Sequence, residues 1–179
     1  MNRDVTEKQI LWQGRFLNMA MRDDWEFADR GPDVRGIVAM VAVTDQKQLI
    51  VNEQFRPPVD RPVLELPAGL VGDDPQHASE SLEEAARREL LEETGYEAQT
   101  LRHLFRGAPS AGTSSELVDF FLATDLNRTG PGGGTESEQI TVHLVPVAGL
   151  KSWLEDQTRR REVVIDAKLY AALPFIEDA

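Results

Sequence analysis

The 179-residue chain contains no cysteine. Disulfides, thiolate nucleophiles and cysteine-ligated zinc are therefore excluded. Histidine is scarce too. His77, His103 and His143 show no metal-ligand spacing and are read as structural. Basic residues are outnumbered, 19 against 31 acidic ones, and the formal net charge is −12. Such a surface repels polyanions, so neither polymer nucleic acid nor an anionic membrane is an expected partner. A small anionic substrate can still bind, but only where metal ions or a few arginines offset the field. No apolar run approaches the ~20 residues that span a bilayer. The opening stretch MNRDVTEKQILWQG is charged and has no apolar core, unlike a secretory signal. A cytoplasmic protein is expected.

What remains is a globular composition, with 41% apolar and 28% charged residues, enough for one domain with its own core. The first third alternates like strands. Gln9–Met19 mixes apolar and polar residues, and Trp25–Ala28 is a short candidate before Arg30-Gly31-Pro32. Gly36–Thr44 (GIVAMVAVT) is a nearly continuous β-branched run, as a buried central strand requires. Gln48–Phe55 and Val63–Leu66 follow, separated by Arg56-Pro57-Pro58, where proline interrupts pairing. Pro67–Asp74 (PAGLVGDD) reads as a glycine-rich loop.

Ser79–Glu93 is the clearest helix. Leu82, Ala85, Ala86 and Leu90 form an apolar stripe, Ser81 with Glu84 fits a capping box, and Gly95 stands at the C′ position. Beyond it, Thr100–Phe105, Leu117–Ala123 and Ile140–Val147 predict strands. Thr129–Gly134 (TGPGGG) predicts a flexible loop, and Ala148–Glu155 and Val163–Ile176 predict closing helices. Strands, a helix, more strands and then helices indicate an α+β or layered mixed-sheet domain.

Glu89, Glu92 and Glu93 are spaced i, i+3, i+4, so they project from one helix face and repel one another. They also crowd the helix C-terminus, where the macrodipole disfavours negative charge. Either this is a solvated acidic face, or a hard divalent cation with a preference for carboxylate oxygens offsets both penalties. Arg88 lies two turns from Glu80 on the same side and can pin it. The loop containing Ala68 and Gly69 enters from upstream, where its carbonyls can add a ligand.

Arg88-Glu89-Leu90-Leu91-Glu92-Glu93-Thr94-Gly95-Tyr96, with Glu80 seven residues before it, resembles the Nudix box, G-x5-E-x7-R-E-U-x-E-E-x-G-U. One position departs. The box glycine falls on Asp74, and Gly69 in Leu66-Pro67-Ala68-Gly69-Leu70 is the better counterpart. Extra residues near Asp73–Ala78 then lengthen the loop above the site. The resemblance implies a Nudix-type α/β/α sandwich with a mixed β-sheet. It implies Mg²⁺ or Mn²⁺ held by Glu89 and Glu93, with Glu92 and the Ala68 carbonyl as further ligands. Glu92 is then also part of the catalytic set, and Gly69, Glu80, Arg88 and Gly95 are structural. The implied reaction is attack of water on phosphorus in a nucleoside diphosphate derivative.

Glu53-Gln54-Phe55-Arg56-Pro57-Pro58 and Glu65-Leu66-Pro67-Ala68-Gly69 resemble the ADP-ribose pyrophosphatase and nucleoside-diphosphate-sugar branch. That branch implies an N-terminal strand extension over residues 1–34 that pairs two protomers into a homodimer, followed by the hydrolase domain over residues 35–179. Pro109-Ser110-Ala111-Gly112-Thr113-Ser114-Ser115-Glu116 is similar to its S-P-G-x-S-x-E segment, but Ala111 replaces the proline that accompanies ADP-ribose preference. Other nucleotide sugars therefore stay open as substrates. Glu136-Ser137-Glu138 resembles an E-x-E element on a mobile loop, so Glu138 or Glu136 is the candidate general base. Arg56 can clamp a phosphate by forked hydrogen bonds, with Arg35 a weaker candidate. Trp25 or Phe27 can stack a base, or can serve core or dimer packing. Triphosphates or dinucleoside polyphosphates are the alternative substrates, opposed by the acidic charge and the scarcity of lysine near the box. A nucleotide-binding module without turnover is the third reading, opposed by the intact glutamates.

Overall fold

The computed structural model describes residues 6–135 and 138–176. Its first element is an antiparallel three-stranded sheet of β1 (Gln9–Gln13), β2 (Asn18–Arg22) and β3 (Trp25–Asp29). The alternating stretch Gln9–Met19 is thus not one strand. It folds back at Gly14, whose amide donates to the Leu17 carbonyl at 2.9 Å. This sheet docks on a distant loop. Ala28 N–H donates to the Thr113 carbonyl at 2.8 Å, Ser115 N–H to the Ala28 carbonyl at 3.0 Å, and Trp25 Nε1 to the Gly112 carbonyl at 2.8 Å.

The remaining strands are β4 (Gly36–Ala42), β5 (Gln48–Arg56), β6 (Arg61–Glu65), β7 (Ala68–Val71), β8 (Tyr96–Gly107), β9 (Val118–Arg128), β10 (Ile140–Pro146) and β11 (Val164–Ile165). The helices are α1 (Leu82–Thr94), α2 (Leu150–Arg160) and α3 (Ala167–Ile176). One sheet has the order β7-β4-β9-β8 and the other β10-β5-β6-β11. The pairs β4–β9 and β6–β11 are parallel and the others antiparallel, so the sheets are mixed.

The β-branched run becomes β4 because both of its faces are covered. Val38, Met40 and Ala42 meet Ala85, Ala86 and Leu90 of α1. Ala39 and Val41 belong to the opposite core, with Leu154 of α2 and Leu169 and Ala172 of α3. Helices therefore cover the sheets from both sides, and the expected α/β/α layering is observed. The chain belongs to the α+β class, and among the described residues no helix is long and apolar enough to cross a membrane.

Two expectations are corrected. Residues 68–71 are not loop but β7, paired in register with β4 from Ala39↔Ala68 to Gly36↔Val71. The β4 edge offers unpaired backbone groups, and Gly72, at φ +83°, follows the last paired residue. The stretch Val163–Ile176 is not one helix. Its β-branched start adds β11 beside β6, and Asp166 then turns the chain. Its amide donates to the Leu64 carbonyl at 2.9 Å while its carboxylate accepts from the Lys168 amide at 2.8 Å.

Leu154 is fully buried between α2 and the sheet. Truncation to alanine should cost about 2–5 kcal/mol in urea unfolding. A loss below about 1 kcal/mol would mean that α2 does not pack there as described.

Candidate active site

Helix α1 forms where its sequence caps it. Ser81 Oγ accepts from the Glu84 amide at 3.2 Å, and Glu84 Oε2 accepts from the Ser81 amide at 2.7 Å. Gly95 ends it in the left-handed region at φ 77°, donating to the Leu91 carbonyl at 2.8 Å. The crowding of glutamates at this end is offset by the glycine loop, which is tied down across the helix terminus. Gly133 N–H donates to the Glu93 carbonyl at 2.7 Å and Gly134 N–H to that of Glu92 at 3.0 Å. Thr129 and Gly130 donate to the Gly95 carbonyl at 2.9 and 3.1 Å. The fit leaves no room for side chains, since a Cβ on Gly95 would lie 2.3 Å from the Gly130 carbonyl oxygen. The loop expected only to be flexible supplies the amides that the helix end needs.

On the other side α1 presses against β7. A Cβ on Gly69 would fall 1.9 Å from Glu89 Cδ, so any side chain there would push this glutamate out of its position. Glu93 is 5% exposed; its Oε2 accepts from the Ala68 amide at 2.9 Å and from Asn52 Nδ2 at 3.0 Å. Arg88 donates to Glu80 at 2.8 Å, to Glu89 at 2.8 Å and to Glu92 at 3.2 Å. One guanidinium thus joins the loop before the helix to two of its carboxylates.

Glu89, Glu93 and Glu138 line a cleft of about 660 Å³ together with Arg56, Glu65 and Asp73. Glu138 Oε2 accepts from the Thr135 amide at 3.1 Å and its hydroxyl at 3.2 Å, which fixes the carboxylate at the loop base. Arg56 meets Glu65 through Nη2 at 2.8 Å and Nε at 3.3 Å. Burial raises the Glu65 carboxyl above its ordinary range, against the pull of Arg56. Burial, with the nearby Glu89, Glu138 and Glu65 charges, pushes Glu93 up to about 9 despite the Ala68 amide. Burial pushes Glu89 up to about 7, with Arg88 opposing and Glu92 and Asp73 reinforcing. Glu80 is held low, chiefly by its hydrogen bond from Arg88.

Buried carboxylates that hold protons this tightly are an environment in want of a cation. The oxygen donor set suits a hard divalent ion. Among the described residues no three His, Asp or Glu side chains already converge in ligand geometry. One buried acceptor beside the pair, Asn52 Oδ1, has no hydrogen-bond partner.

The other expected residues are distributed as follows. Glu92 stands at the rim, bonded to Arg88 and absent from the cleft lining. Arg35 lies outside the cleft and donates to the Glu80 carbonyl, so it braces the loop before α1. Trp25 lines a separate hollow with Phe27 and Ala111. Glu136 lies outside the described residues. Sequence reasoning gave no role to Glu65, to Arg30 with its partner Glu116 at 2.5 Å, or to Asp166 and Lys168, all of which line the cleft. Of these, Glu65 had a signal as the first residue of Glu65-Leu66-Pro67-Ala68-Gly69, and Glu116 as the last residue of the Pro109–Glu116 segment. The rest arrive from distant elements.

A raised carboxyl retains its proton in the fold at pH values where the unfolded chain has released it. Its stabilising contribution is complete below the unfolded value of 4.5 and is lost as pH rises to about 7 for Glu89 and about 9 for Glu93. Melting temperature in EDTA should therefore fall across that window, and Mg²⁺ should restore it most at the alkaline end. Glu93→Gln should flatten the EDTA profile. An EDTA profile already flat in the wild type would show that these carboxyls do not retain their protons across that window.

The NUDIX domain family model matches residues 34–167. A methanol dehydrogenase activator of Bacillus methanolicus is 29% identical over 175 residues, covering 93% of this chain and 88% of that protein. The ADP-ribose pyrophosphatase of Bacillus subtilis is 40% identical over 94 residues, or 51% of this chain and 47% of its own. The GDP-mannose pyrophosphatase of Escherichia coli K12 is 34% identical over 134 residues, covering 70% and 65% respectively. A crystal structure of an ADP compounds hydrolase superposes with a TM-score of 0.73 at 23% identity, spanning 97% of this chain and 91% of that one, and shows the same fold. With the box helix, the layered fold and a family match over most of its length, the chain belongs to the NUDIX domain family and is a hydrolase of that family.

Proposed function

We propose that this hydrolase cleaves the diphosphate bond of ADP-ribose or a related nucleoside diphosphate sugar in the presence of Mg²⁺ or Mn²⁺, yielding a nucleoside monophosphate and a sugar phosphate. The observation that carries this reading is the single cleft shared by Glu89, Glu93, Glu138 and Arg56. Acid for a cation and guanidinium for a phosphate line the same space. The pyrophosphatases among the relatives, named for ADP-ribose and GDP-mannose, support the substrate class.

A divalent cation in such a site supplies charge neutralisation at phosphate oxygens and activation of water. Glu89 and Glu93 would hold it, with Glu92 and the Ala68 carbonyl as further donors. Arg56, kept in orientation by Glu65, clamps a phosphate by charge-assisted hydrogen bonds. Glu138 accepts the proton of the attacking water, with Glu136 as the other candidate. Gly69, Glu80, Arg88 and Gly95 hold the helix and its flanking loops in place. Ala111, in place of the proline that accompanies ADP-ribose preference, keeps nucleotide sugars other than ADP-ribose within the proposed substrate class.

Residues 1–34 form a dimerisation extension in this reading, and residues 35–179 the hydrolase domain. Ile10, Leu11, Trp12, Phe16, Leu17 and Met19 are all exposed on the N-terminal sheet or its turn. Apolar exposure this dense supports burial against a second copy.

Phosphate release after coupling to a phosphatase tests the substrate class on ADP-ribose, GDP-mannose, UDP-glucose, diadenosine polyphosphates and oxidised dGTP. Preference for one of the first three is expected; preference for a triphosphate or dinucleotide would overturn the substrate assignment. Glu93→Gln should abolish turnover and stay folded. Glu138→Gln should lower kcat by ~10²–10⁴-fold, as loss of a general base does. Should Glu136→Gln alone produce that loss, the proton acceptor is Glu136.

A further inference from the structure

Beside the cleft lies a smaller slot of about 200 Å³. Its walls are Phe105, Gly107, Pro109, Val118, Phe120 and Ala171. Phe105 stacks on Phe120 with centroids 4.4 Å apart and on Phe175 at 5.1 Å, so the aromatic wall is braced from behind. The slot stays open partly because Gly107 has no side chain. A Cβ there would meet Phe105 and Phe120 ring carbons at ordinary contact distances of 3.5 and 4.0 Å.

The slot and the cleft are continuous. Pro109, Val118, Asp166, Ala167 and Lys168 line both. At their junction Lys168 Nζ donates to Asp166, which places an ammonium and a carboxylate at the mouth of an apolar recess. Neither group has a role in the reaction described above.

We propose that this slot is the subsite for the sugar ring of the substrate, with Asp166 and Lys168 reading its hydroxyls. The inference rests on the proposed cleavage of nucleotide sugars and adds which half of the substrate lies where. A sugar ring is amphipathic: its C–H face suits the Phe105–Phe120 wall, and its hydroxyls need one acceptor and one donor at the rim. Asp166 accepts and Lys168 donates. The sugar also sits next to the diphosphate, as the slot sits directly against the cleft. A nucleobase is separated from the diphosphate by its own ribose, whereas the slot shares five lining residues with the cleft and so adjoins it directly.

Two substitutions fill the slot from opposite sides. Ala171→Leu acts from an exposed helix position and Gly107→Val from a strand, so a folding failure in one leaves the other informative. The readout is product inhibition of the Mg²⁺-loaded enzyme by sugar phosphate (ribose 5-phosphate, mannose 1-phosphate) and by nucleoside monophosphate (AMP, GMP). The inhibition constant of the sugar phosphate should rise roughly tenfold or more, the scale at which an occupied apolar pocket discriminates. That of the nucleoside monophosphate should stay unchanged. Asp166→Asn should weaken the same sugar phosphate and leave the monophosphate alone. If the monophosphate constant rises instead, the slot belongs to the nucleoside half and the inference falls. If the wild type cleaves nucleotide sugars and neither filled variant changes either constant, the slot is no subsite. A wild type that cleaves no nucleotide sugar overturns the proposed function, and the subsite with it.

Discussion

The rest of the site is arranged around one awkward carboxylate. Glu93 is buried at the negative end of α1, among other acids, where its charge is disfavoured by desolvation and by the helix dipole. The Ala68 amide and Asn52 side chain hold it in place but do not neutralise it. A fold tolerates such a group only if its surroundings are over-determined. Here the glycine loop donates to the Glu92 and Glu93 carbonyls at the helix end, Arg88 ties Glu89 and Glu92 to Glu80, and Gly69 lets β7 approach within contact of Glu89. Each device permits acid to concentrate where water and peptide alone would oppose it. The result is a concentration of carboxyl oxygens that the proposed divalent cation would neutralise.

The rest of the cleft lining is built differently. It carries cations already paired: Arg56 with Glu65, Arg30 with Glu116 and Lys168 with Asp166. A net-acidic protein can receive an anionic substrate this way without exposing a strongly basic patch. The pairs keep each cation oriented. Arg30 comes from the segment after the N-terminal sheet, and Lys168 from the start of α3, so this lining is assembled from both ends of the chain.

Much of the core was legible in local pattern. The run at Gly36–Thr44 marked the central strand because burial on both faces demands continuous apolar residues. Ser81, Glu84 and Gly95 marked both ends of α1, because capping chemistry is local in sequence. Legibility failed where partners are remote. Ala68–Val71 looked like loop because glycine lowers strand propensity, but the free edge of β4 outweighed propensity. The glycine loop looked merely flexible because its partners are the carbonyls of Glu92, Glu93 and Gly95, which no local pattern announces.

The sequence by itself determined the family, the acid-bearing helix and its caps, and the central strand, since all of these rest on spacing within one segment. Tertiary structure alone decided which charges share the cleft. It separated Arg35 and Trp25 from the cleft and brought Glu65, Arg30, Asp166 and Lys168 to it. It also opened the Phe105–Phe120 slot beside that cleft. The physical reason is that hydrogen-bond spacing along a helix is set by its own backbone, whereas a cleft is a meeting of strands and helices whose contacts exist only after the sheets have packed.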